Sequence, residues 1–179
     1  MQTYSNAEFE NIPNHPLEQG LQQLLERLIS KMQRDELIRN TINQVRESLE
    51  VDRVVLYYFY EEWYGQVTFE SLISQELSIF GSTGAENCFN YEYAALYLAG
   101  RTKAIADIEL EPIETCHRDF LRSIQVRANL VVPVLVPRGL WGLLIAHQCH
   151  KPRLWLETDI KMMQIAAQTL STDSNVLES

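Results

Sequence analysis

A cysteine and a histidine stand side by side at Cys116 and His117, in a segment whose spacing predicts one short helix. Pro112 fits the first turn, where its missing N–H is not needed. The residues that recur at helical spacing and would face inward are Ile113, His117, Phe120 and Leu121. Adjacent helical side chains diverge by about 100°, so a nucleophilic thiol would lie at the helix edge, beside an imidazole that lines whatever the helix covers. The alternative interpretation is a buried structural cysteine next to a hydrogen-bonded core histidine.

Further residues capable of chemistry flank this pair. Upstream the chain reads Glu86-Asn87-Cys88-Phe89, which places a second thiol 28 residues before Cys116 (116 − 88). Downstream, His147 stands 31 residues after Cys116 (147 − 116), in an apolar run over residues 140–149. These spacings bring two thiols and two imidazoles into one part of the chain, so the elements around them decide whether they meet.

The composition indicates one globular domain in a reducing compartment. The chain has 179 residues, of which 46% are apolar, enough for a single core. A formal net charge of −9 argues against binding to nucleic acid or to an anionic membrane surface. No signal peptide or bilayer-spanning run is recognisable, and three cysteines do not suit a secreted disulfide scaffold. We therefore expect a cytoplasmic protein with free thiols and no membrane contact.

The hydrophobic pattern predicts an α+β fold. Segments rich in β-branched and aromatic residues, or short and apolar, are expected as strands at 51–60, 63–72, 102–108, 128–136 and 140–148. Besides the Cys116 helix, helical spacing predicts a short helix over 91–98 and a last helix that Thr158 caps. A meander of this kind gives an antiparallel sheet with helices on a face.

The N-terminal part of the chain carries two helical stripes. The first consists of Leu17, Leu21, Leu24, Leu25, Leu28, Ile29 and Met32. Asp35 is expected to cap a second helix, whose apolar positions are Ile38, Ile42, Val45 and Leu49. This heptad-like spacing fits either packing against the sheet or a seam with a second subunit, and the sequence leaves both open. We expect residues 1–15 as a flexible lead-in, 16–172 as one domain and 173–179 as a frayed end.

The residues quoted above, together with Gln125–Val134 and the run from Leu140 to Cys149, resemble the bilin-binding GAF domain of cyanobacteriochromes, small relatives of phytochrome. The resemblance runs from about residue 35 to 170 and is greatest for the branch named after an Asp-Xaa-Cys-Phe motif. It implies a GAF sheet with terminal helices on one face and a bilin pocket on the other. It also implies a covalent linear tetrapyrrole, phycocyanobilin or its isomer phycoviolobilin, and a light-sensing function.

The resemblance also assigns roles to single residues. Cys116 would form a thioether to ring A, and His117 would lie against the pyrrole nitrogens. His147 occupies the place where the family has a His or Tyr facing the chromophore, with a core histidine as the alternative. The candidates for the propionates are Arg101 and, second, Lys103, because carboxylate recognition favours Arg; Arg118, Arg122 and Arg127 are alternatives. Tyr97, like Tyr91 and Tyr93, would line the pocket or belong to the aromatic core.

The motif around Cys88 departs from the branch at one position. Phe89 follows Cys88 as the motif requires, but Glu86 stands where the branch has Asp. The resemblance implies a second, reversible thioether from Cys88 to C10 of the bilin, with the acid meeting the pyrrole nitrogens. Glu is one methylene longer, so its carboxylate would reach these nitrogens less well or crowd the thiol. An unreactive loop cysteine is the alternative.

Three other functions are weighed against this one. A metal site would draw on Cys88, Cys116, His117, His147, Cys149 and His150, but no C-x-x-C pair is present. A cysteine hydrolase would pair Cys116 with His147, and no local signature supports an oxyanion hole. A GAF domain that binds a diffusible ligand such as a cyclic nucleotide is the serious alternative, since one fold hosts many functions.

The sequence thus predicts a photosensory module and not an enzyme, apart from its autocatalytic bilin attachment. Light would isomerise the C15=C16 double bond of the bilin between its 15Z and 15E configurations, and the terminal helices would transmit the change. The output domain would lie on the parent chain or on a partner, and a weak homodimer would follow if the apolar positions of the second stripe face a second subunit.

Overall fold

The computed structural model describes residues 16–61, 63–84 and 91–177. Its centre is a five-stranded sheet in the order β2-β1-β5-β4-β3, in which every neighbouring pair is antiparallel. The strands are β1 (Arg53–Glu61), β2 (Tyr64–Leu72), β3 (Lys103–Ile105), β4 (Ala128–Val136) and β5 (Gly139–Gln148). The helices are α1 (Pro16–Leu49), α2 (Tyr91–Leu98), α3 (Thr115–Ser123), α4 (Glu157–Thr172) and α5 (Ser174–Leu177), and a 3-10 turn spans Gln75–Leu77. The predicted α+β class and antiparallel sheet are confirmed.

Alternation of side chains gives the sheet two differently covered faces. On one, which we call the helix face, Leu56, Leu130 and Leu144 are fully buried in the main core with residues of α1, α4 and α5. The opposite face, which we call the site face, carries Val131, Leu143, Ile145, Asn129 and His147. The terminal helices therefore cover one side only and leave the other to the central part of the chain.

The helix α1 differs from the expected pair of helices. It runs without a break from Pro16 to Leu49, and Asp35 lies inside it, where its carboxylate accepts hydrogen bonds from Arg34. The four positions with heptad-like spacing are buried in the main core, with exposures of 1% to 4%: Ile38, Ile42, Val45 and Leu49. A subunit seam at these positions is wrong, because the sheet already covers them.

The first apolar stripe of α1 lies open to solvent instead. Six of its residues are 49% to 70% exposed and are called the N-terminal stripe below: Leu21, Leu24, Leu25, Leu28, Ile29 and Met32. Monomeric proteins rarely expose contiguous apolar patches of this kind. None of the helices within the described ranges is long and apolar enough to cross a membrane.

The C-terminal end also differs from expectation. The helix α4 begins at Glu157, one residue before the predicted cap Thr158, and the Asp159 carboxylate accepts the backbone N–H of Leu156. After it, Ser174–Leu177 form α5, and Val176 is fully buried in the main core. Because this apolar side chain packs under α1 and α4, the expected frayed end is wrong as far as Leu177.

Replacing Ile42 by Ala should lower the free energy of unfolding by about 2–5 kcal/mol, because the change leaves a cavity between α1 and the sheet. Chemical denaturation monitored by circular dichroism measures this. The matched control is Ile165→Ala on α4, where the side chain is 57% exposed and the expected loss is about 0.5 kcal/mol or less. Equal losses in the two variants would contradict the burial of Ile42.

Candidate functional site

The helix α3 presents Cys116 and His117 as the sequence predicts. It begins at Thr115, so Pro112 and Ile113 precede the helix instead of forming its first turn. Cys116 lies on the exposed side, while His117 is half-buried. Leu121 anchors the inner side in a small cluster with Ile105, Ile108 and Val126. The two side chains thus diverge as adjacent helical residues must, with the thiol position outside and the imidazole inside.

Arginine side chains fasten α3 to the turn that precedes it. Arg118 donates to the carbonyl oxygens of Ile108 and Glu111, at 2.8 and 2.9 Å. Arg122 forms a two-pronged ion pair with Glu109, which holds the pKa of that carboxyl below its usual range. Both guanidinium groups, predicted as alternatives for the propionates, are therefore engaged in positioning the Cys116 helix.

The third alternative, Arg127, is engaged as well. It donates through Nε and Nη2 to the two carboxylate oxygens of Asp107, at 2.7 and 2.8 Å. The Asp107 side chain is largely buried, and this hydrogen bonding lowers the pKa of its carboxyl. The stabilisation is present above the unfolded pKa of about 3.9 and is lost as the pH falls through the lowered value. This pair joins the turn after β3 to the start of β4.

The electrostatics around His117 favour its neutral form. Burial and the nearby Lys103 ammonium both lower the pKa of the His117 imidazole. Lys103 is paired with Val131 across β3 and β4, so it belongs to the site face. A neutral imidazole can accept a hydrogen bond, which a positively charged ligand N–H requires. It also means that His117 does not supply the imidazolium that would favour a thiolate nearby.

Arg101 and Tyr97 lie next to this region of the sheet. Arg101 is partly exposed and lies three residues after the end of α2, directly behind Gly100, whose φ of 85° suits glycine. Tyr97 is 6% exposed and packs with Val131 and Leu143 on the site face. Lys103 acts on His117 through its charge, Arg101 precedes Lys103 by two residues, and Tyr97 belongs to the aromatic and aliphatic cluster of the site face.

His147 lies in a buried row that crosses the site face. Register pairs it with Arg53 on β1 and with Asn129 on β4, and its exposure is 2%. Its Nδ1 accepts a hydrogen bond from Arg53 Nε at 2.9 Å. Burial and the Arg53 charge hold the pKa of His147 well below its usual range. His147 is therefore a buried, neutral histidine on the face that the resemblance implies.

Asn129 supplies an open polar atom in the same row. The residue is 3% exposed, and its Oδ1 is a buried acceptor that has no hydrogen-bond partner within the part of the chain that the structure describes. Buried polar atoms are satisfied in the large majority of cases, so each exception asks for an explanation. A ligand N–H in front of the site face would provide that partner. This acceptor, the neutral His117 and the cations Lys103 and Arg101 fit a ligand that carries both N–H donors and carboxylates.

The motif segment with Glu86, Cys88 and Phe89 lies outside the described residues. The chain leading to it is held by Tyr57, whose hydroxyl donates to the Gly65 carbonyl oxygen at 2.7 Å and accepts the Gly84 N–H at 3.0 Å. Tyr57 also belongs to the cluster around Tyr97. The segment before the motif is thus fixed to the site face.

The cysteines differ from the expectation of free thiols. Cys149, directly after β5, is free and half-buried, and burial raises the pKa of its thiol. Cys116 is disulfide-bonded. A sulfur held in a disulfide has a second sulfur within bonding distance and is not nucleophilic. The expectation of a free thiol at Cys116 is therefore wrong for this state of the protein, and any thioether there requires prior reduction.

The geometry does not support the two other kinds of site that the sequence raised, a metal site and a cysteine hydrolase. Within residues 16–61, 63–84 and 91–177, no group of three His, Cys, Asp or Glu side chains could hold a metal ion. A hydrolase pairing of Cys116 with His147 would need the histidine as a base, but Nδ1 already accepts a hydrogen bond from Arg53, and the lowered pKa of His147 makes its imidazole a weak proton acceptor.

Sequence reasoning missed Arg53, Asn129 and Tyr57. Arg53 and Asn129 are polar residues inside strands that are otherwise apolar, and this is a usable signal for a buried functional group. Nothing in the sequence singles out Tyr57 from its aromatic neighbours, because its partner is backbone near Gly84.

Comparison with known proteins gives matches along most of the chain. The GAF domain family model matches residues 33–172. An uncharacterised protein of Picosynechococcus sp. is 48% identical over 161 residues, which cover 90% of this chain and 99% of that protein. The circadian input-output histidine kinase CikA of Synechocystis sp. is 34% identical over 162 residues, which cover 78% of this chain and 22% of the kinase.

Solved structures agree with these matches. The cyanobacteriochrome receptor PixJ, studied in the dark and under steady illumination, is 34% identical with a TM-score of 0.73, covering 79% of this chain and 95% of that one. The blue-light absorbing form of the PixJ GAF domain of Thermosynechococcus elongatus is 32% identical with a TM-score of 0.71, covering 79% and 87%. A family model over residues 33–172 and a shared antiparallel sheet lead to one conclusion: this chain belongs to the GAF domain family.

Proposed function

We propose that this GAF domain is a photoreceptor module that binds a linear tetrapyrrole covalently through Cys116. The observation that carries the proposal is the pairing of Cys116 at the outer edge of α3 with the neutral, half-buried His117 beside Lys103. The similarity to PixJ domains, which were studied in dark, illuminated and blue-light-absorbing states, supports it. When bound, the bilin, phycocyanobilin or phycoviolobilin, supplies light absorption and 15Z/15E isomerisation.

Different residues of the chain would bind different parts of the bilin. His117 and Asn129 offer acceptors for the pyrrole N–H groups of the bilin. Lys103 and Arg101 offer cations for its two propionates, whereas the arginines of α3 are occupied. Tyr97 and its cluster exclude water from one side of the rings. No residue in this arrangement is required to turn over a substrate, so we propose a sensor and not an enzyme.

Cys116→Ala should abolish covalent attachment in cells that also make phycocyanobilin. We expect zinc-induced bilin fluorescence of the denatured band to fall at least tenfold, whereas Cys149→Ala should keep it, because Cys149 is a partly buried thiol directly after β5 with a raised pKa. Attachment to wild type in vitro should require a reductant. An unchanged Cys116→Ala band would contradict the proposal unless Cys88 holds the pigment.

The alternative is a GAF domain for a diffusible ligand such as a cyclic nucleotide. Acid denaturation separates the two, since a thioether-bound pigment stays with the polypeptide and a diffusible ligand is lost. Colourless protein from bilin-producing cells, together with cyclic nucleotide binding in calorimetry, would favour the alternative.

Cys88 belongs to the finer part of the proposal, the Asp-Xaa-Cys-Phe branch with Glu86 in place of the Asp. We propose a second, reversible thioether from Cys88 to C10, which interrupts conjugation and moves absorption to the blue or violet. The similarity to a PixJ domain with a blue-light-absorbing form supports it. Glu86 is longer than Asp, and an ionised carboxylate opposes thiolate formation from an unperturbed pKa of about 8.5, so this bond should be held less firmly than in the Asp-containing branch.

Cys88→Ala should therefore remove the blue or violet band and leave a longer-wavelength pigment attached through Cys116. Absorption spectra before and after illumination measure this, with iodoacetamide-treated wild type as the comparison and Phe89→Leu as the control with both thiols kept. A wild-type spectrum in Cys88→Ala would make Cys88 a bystander and the module a single-cysteine photoreceptor.

The signalling partner also belongs to the proposal. The chain spans about a fifth of the CikA kinase and nearly all of the Picosynechococcus relative. We propose that the light signal passes to an output domain on the parent chain or to a separate partner protein through the terminal helices, which share the helix face.

We propose that the weak homodimer suggested by the sequence forms through the exposed N-terminal stripe of α1, and not through the buried second stripe. A second copy in antiparallel orientation can place Leu25 against Leu28, Leu21 against Met32 and Leu24 against Ile29 in one register, because each pair of numbers has the same sum. The exposed stripe is therefore complementary to itself in its apolar contacts.

Combining Leu25→Glu with Leu28→Glu should weaken dimerisation at least tenfold, because carboxylates would enter an apolar seam. Sedimentation velocity over a concentration series measures this. Gln22→Glu with Gln23→Glu adds the same charge beside the stripe and should leave the dimer nearly unchanged. Absorption should be unaffected in both, and a monomeric wild type at all concentrations would disprove the seam.

A further inference from the structure

Arg53 is a fully buried cation whose guanidinium is met by neutral acceptors. It is 0% exposed at the start of β1 and donates to His147 Nδ1 and to the Ile124 carbonyl oxygen, each at 2.9 Å, and to the Leu77 carbonyl oxygen. Buried arginines are rare and are usually retained for a specific task. These three acceptors belong to β5, to the C-cap of α3 and to the 3-10 turn, so one side chain joins three separate elements.

The hydrogen bond to His147 fixes the tautomer of the imidazole. A guanidinium carries only donors and stays protonated in proteins, so His147 Nδ1 must accept with its lone pair. The neutral ring then carries its proton on Nε2. Protonation of Nδ1 would set two N–H donors and two positive charges against each other at 2.9 Å. The lowered pKa of His147 agrees with this arrangement.

We infer that Arg53 is a positioning residue that keeps His147 as a neutral Nε2–H donor on the site face. A donor that never becomes an acceptor or a cation suits a carbonyl oxygen, here a lactam carbonyl of the bilin, so the ligand part of this inference rests on the proposed function. The same guanidinium also binds the Ile124 carbonyl oxygen at the end of α3. Arg53 therefore fixes the position of the His147 imidazole relative to the helix that carries Cys116.

The groups around the pair do not compete for the role of His147. The charged or titratable side chains that act on Arg53 are Asp52 before β1, Glu70 on β2 and Cys149 after β5. The Asp52 carboxylate accepts from Gln148 Nε2 and from the Cys149 backbone N–H, at 2.7 and 2.6 Å. The imidazole is thus left to Arg53 alone among these groups.

Nitrogen-15 NMR of histidine-labelled protein without pigment tests the tautomer independently of bilin binding. His147→Gln identifies the signal among the four histidines of the chain. We expect an unprotonated Nδ1 and a protonated Nε2 that stay unchanged between about pH 5 and 8. A protonated Nδ1, or titration with an ordinary pKa, overturns the inference and leaves the proposed function intact.

The pigmented protein provides the second readout. Arg53→Gln removes the fixed donor set and offers an amide that can either donate or accept, so His147 Nδ1 is no longer required to accept and Nε2–H is no longer the only tautomer. The absorption maximum, which senses the donor on the site face, should therefore shift in the variant. Arg46→Gln is the control, since Arg46 binds Ser71, the cross-strand partner of Val54 on the helix face. Bilin attachment should persist in both. A wild-type absorption maximum in folded Arg53→Gln overturns the inference, and if that variant does not fold, the wild-type NMR result decides.

Discussion

Antiparallel strands must send alternate side chains to opposite faces, and in this protein that constraint separates the main core from the candidate site. Leu56, Leu130 and Leu144 face α1, α4 and α5 and form the main core. The residues between them along the strands, including Asn129, Ile145 and His147, face the other way. A shift of one residue in the register of β5 would exchange the two sets and remove the site and the core together.

Arginine side chains hold the segments around the site face by donating hydrogen bonds to backbone carbonyl oxygens or to a carboxylate. Arg118 binds the turn before α3, Arg127 binds Asp107 and Arg53 binds the carbonyl oxygens of Leu77 and Ile124. Turns carry carbonyl oxygens that no sheet or helix satisfies, so an arginine with five donors can hold several of them at once. The apolar clusters on this side are small, which makes such polar fastening necessary.

Local sequence patterns predicted the elements well because each pattern reflects a short-range rule. The strand alternation, the hairpin around Gly139 and the divergence of Cys116 and His117 all depend on neighbours in the chain. What the sequence left open or missed concerns long-range contacts. The choice between sheet and subunit seam for Ile42 depends on the sheet, the Arg53–His147 bond joins residues 94 positions apart, and the disulfide of Cys116 depends on which sulfur is near. The continuity of α1 through Asp35 was missed because a good cap residue is also tolerated inside a helix.

The helix α1 has a mechanical consequence that follows from its length. Its 34 residues extend for about 51 Å, and only the last third, from Ile38 to Leu49, is packed firmly against the sheet. The residues from Pro16 to Leu37 form an arm of roughly 33 Å, at about 1.5 Å per residue. A tilt of about 4° where α1 meets the sheet displaces the tip of such an arm by roughly 2 Å, comparable with the helix shifts that switch subunit interfaces. Because α1 is one continuous helix, a small rearrangement of the sheet produces a larger displacement at the first residues of α1.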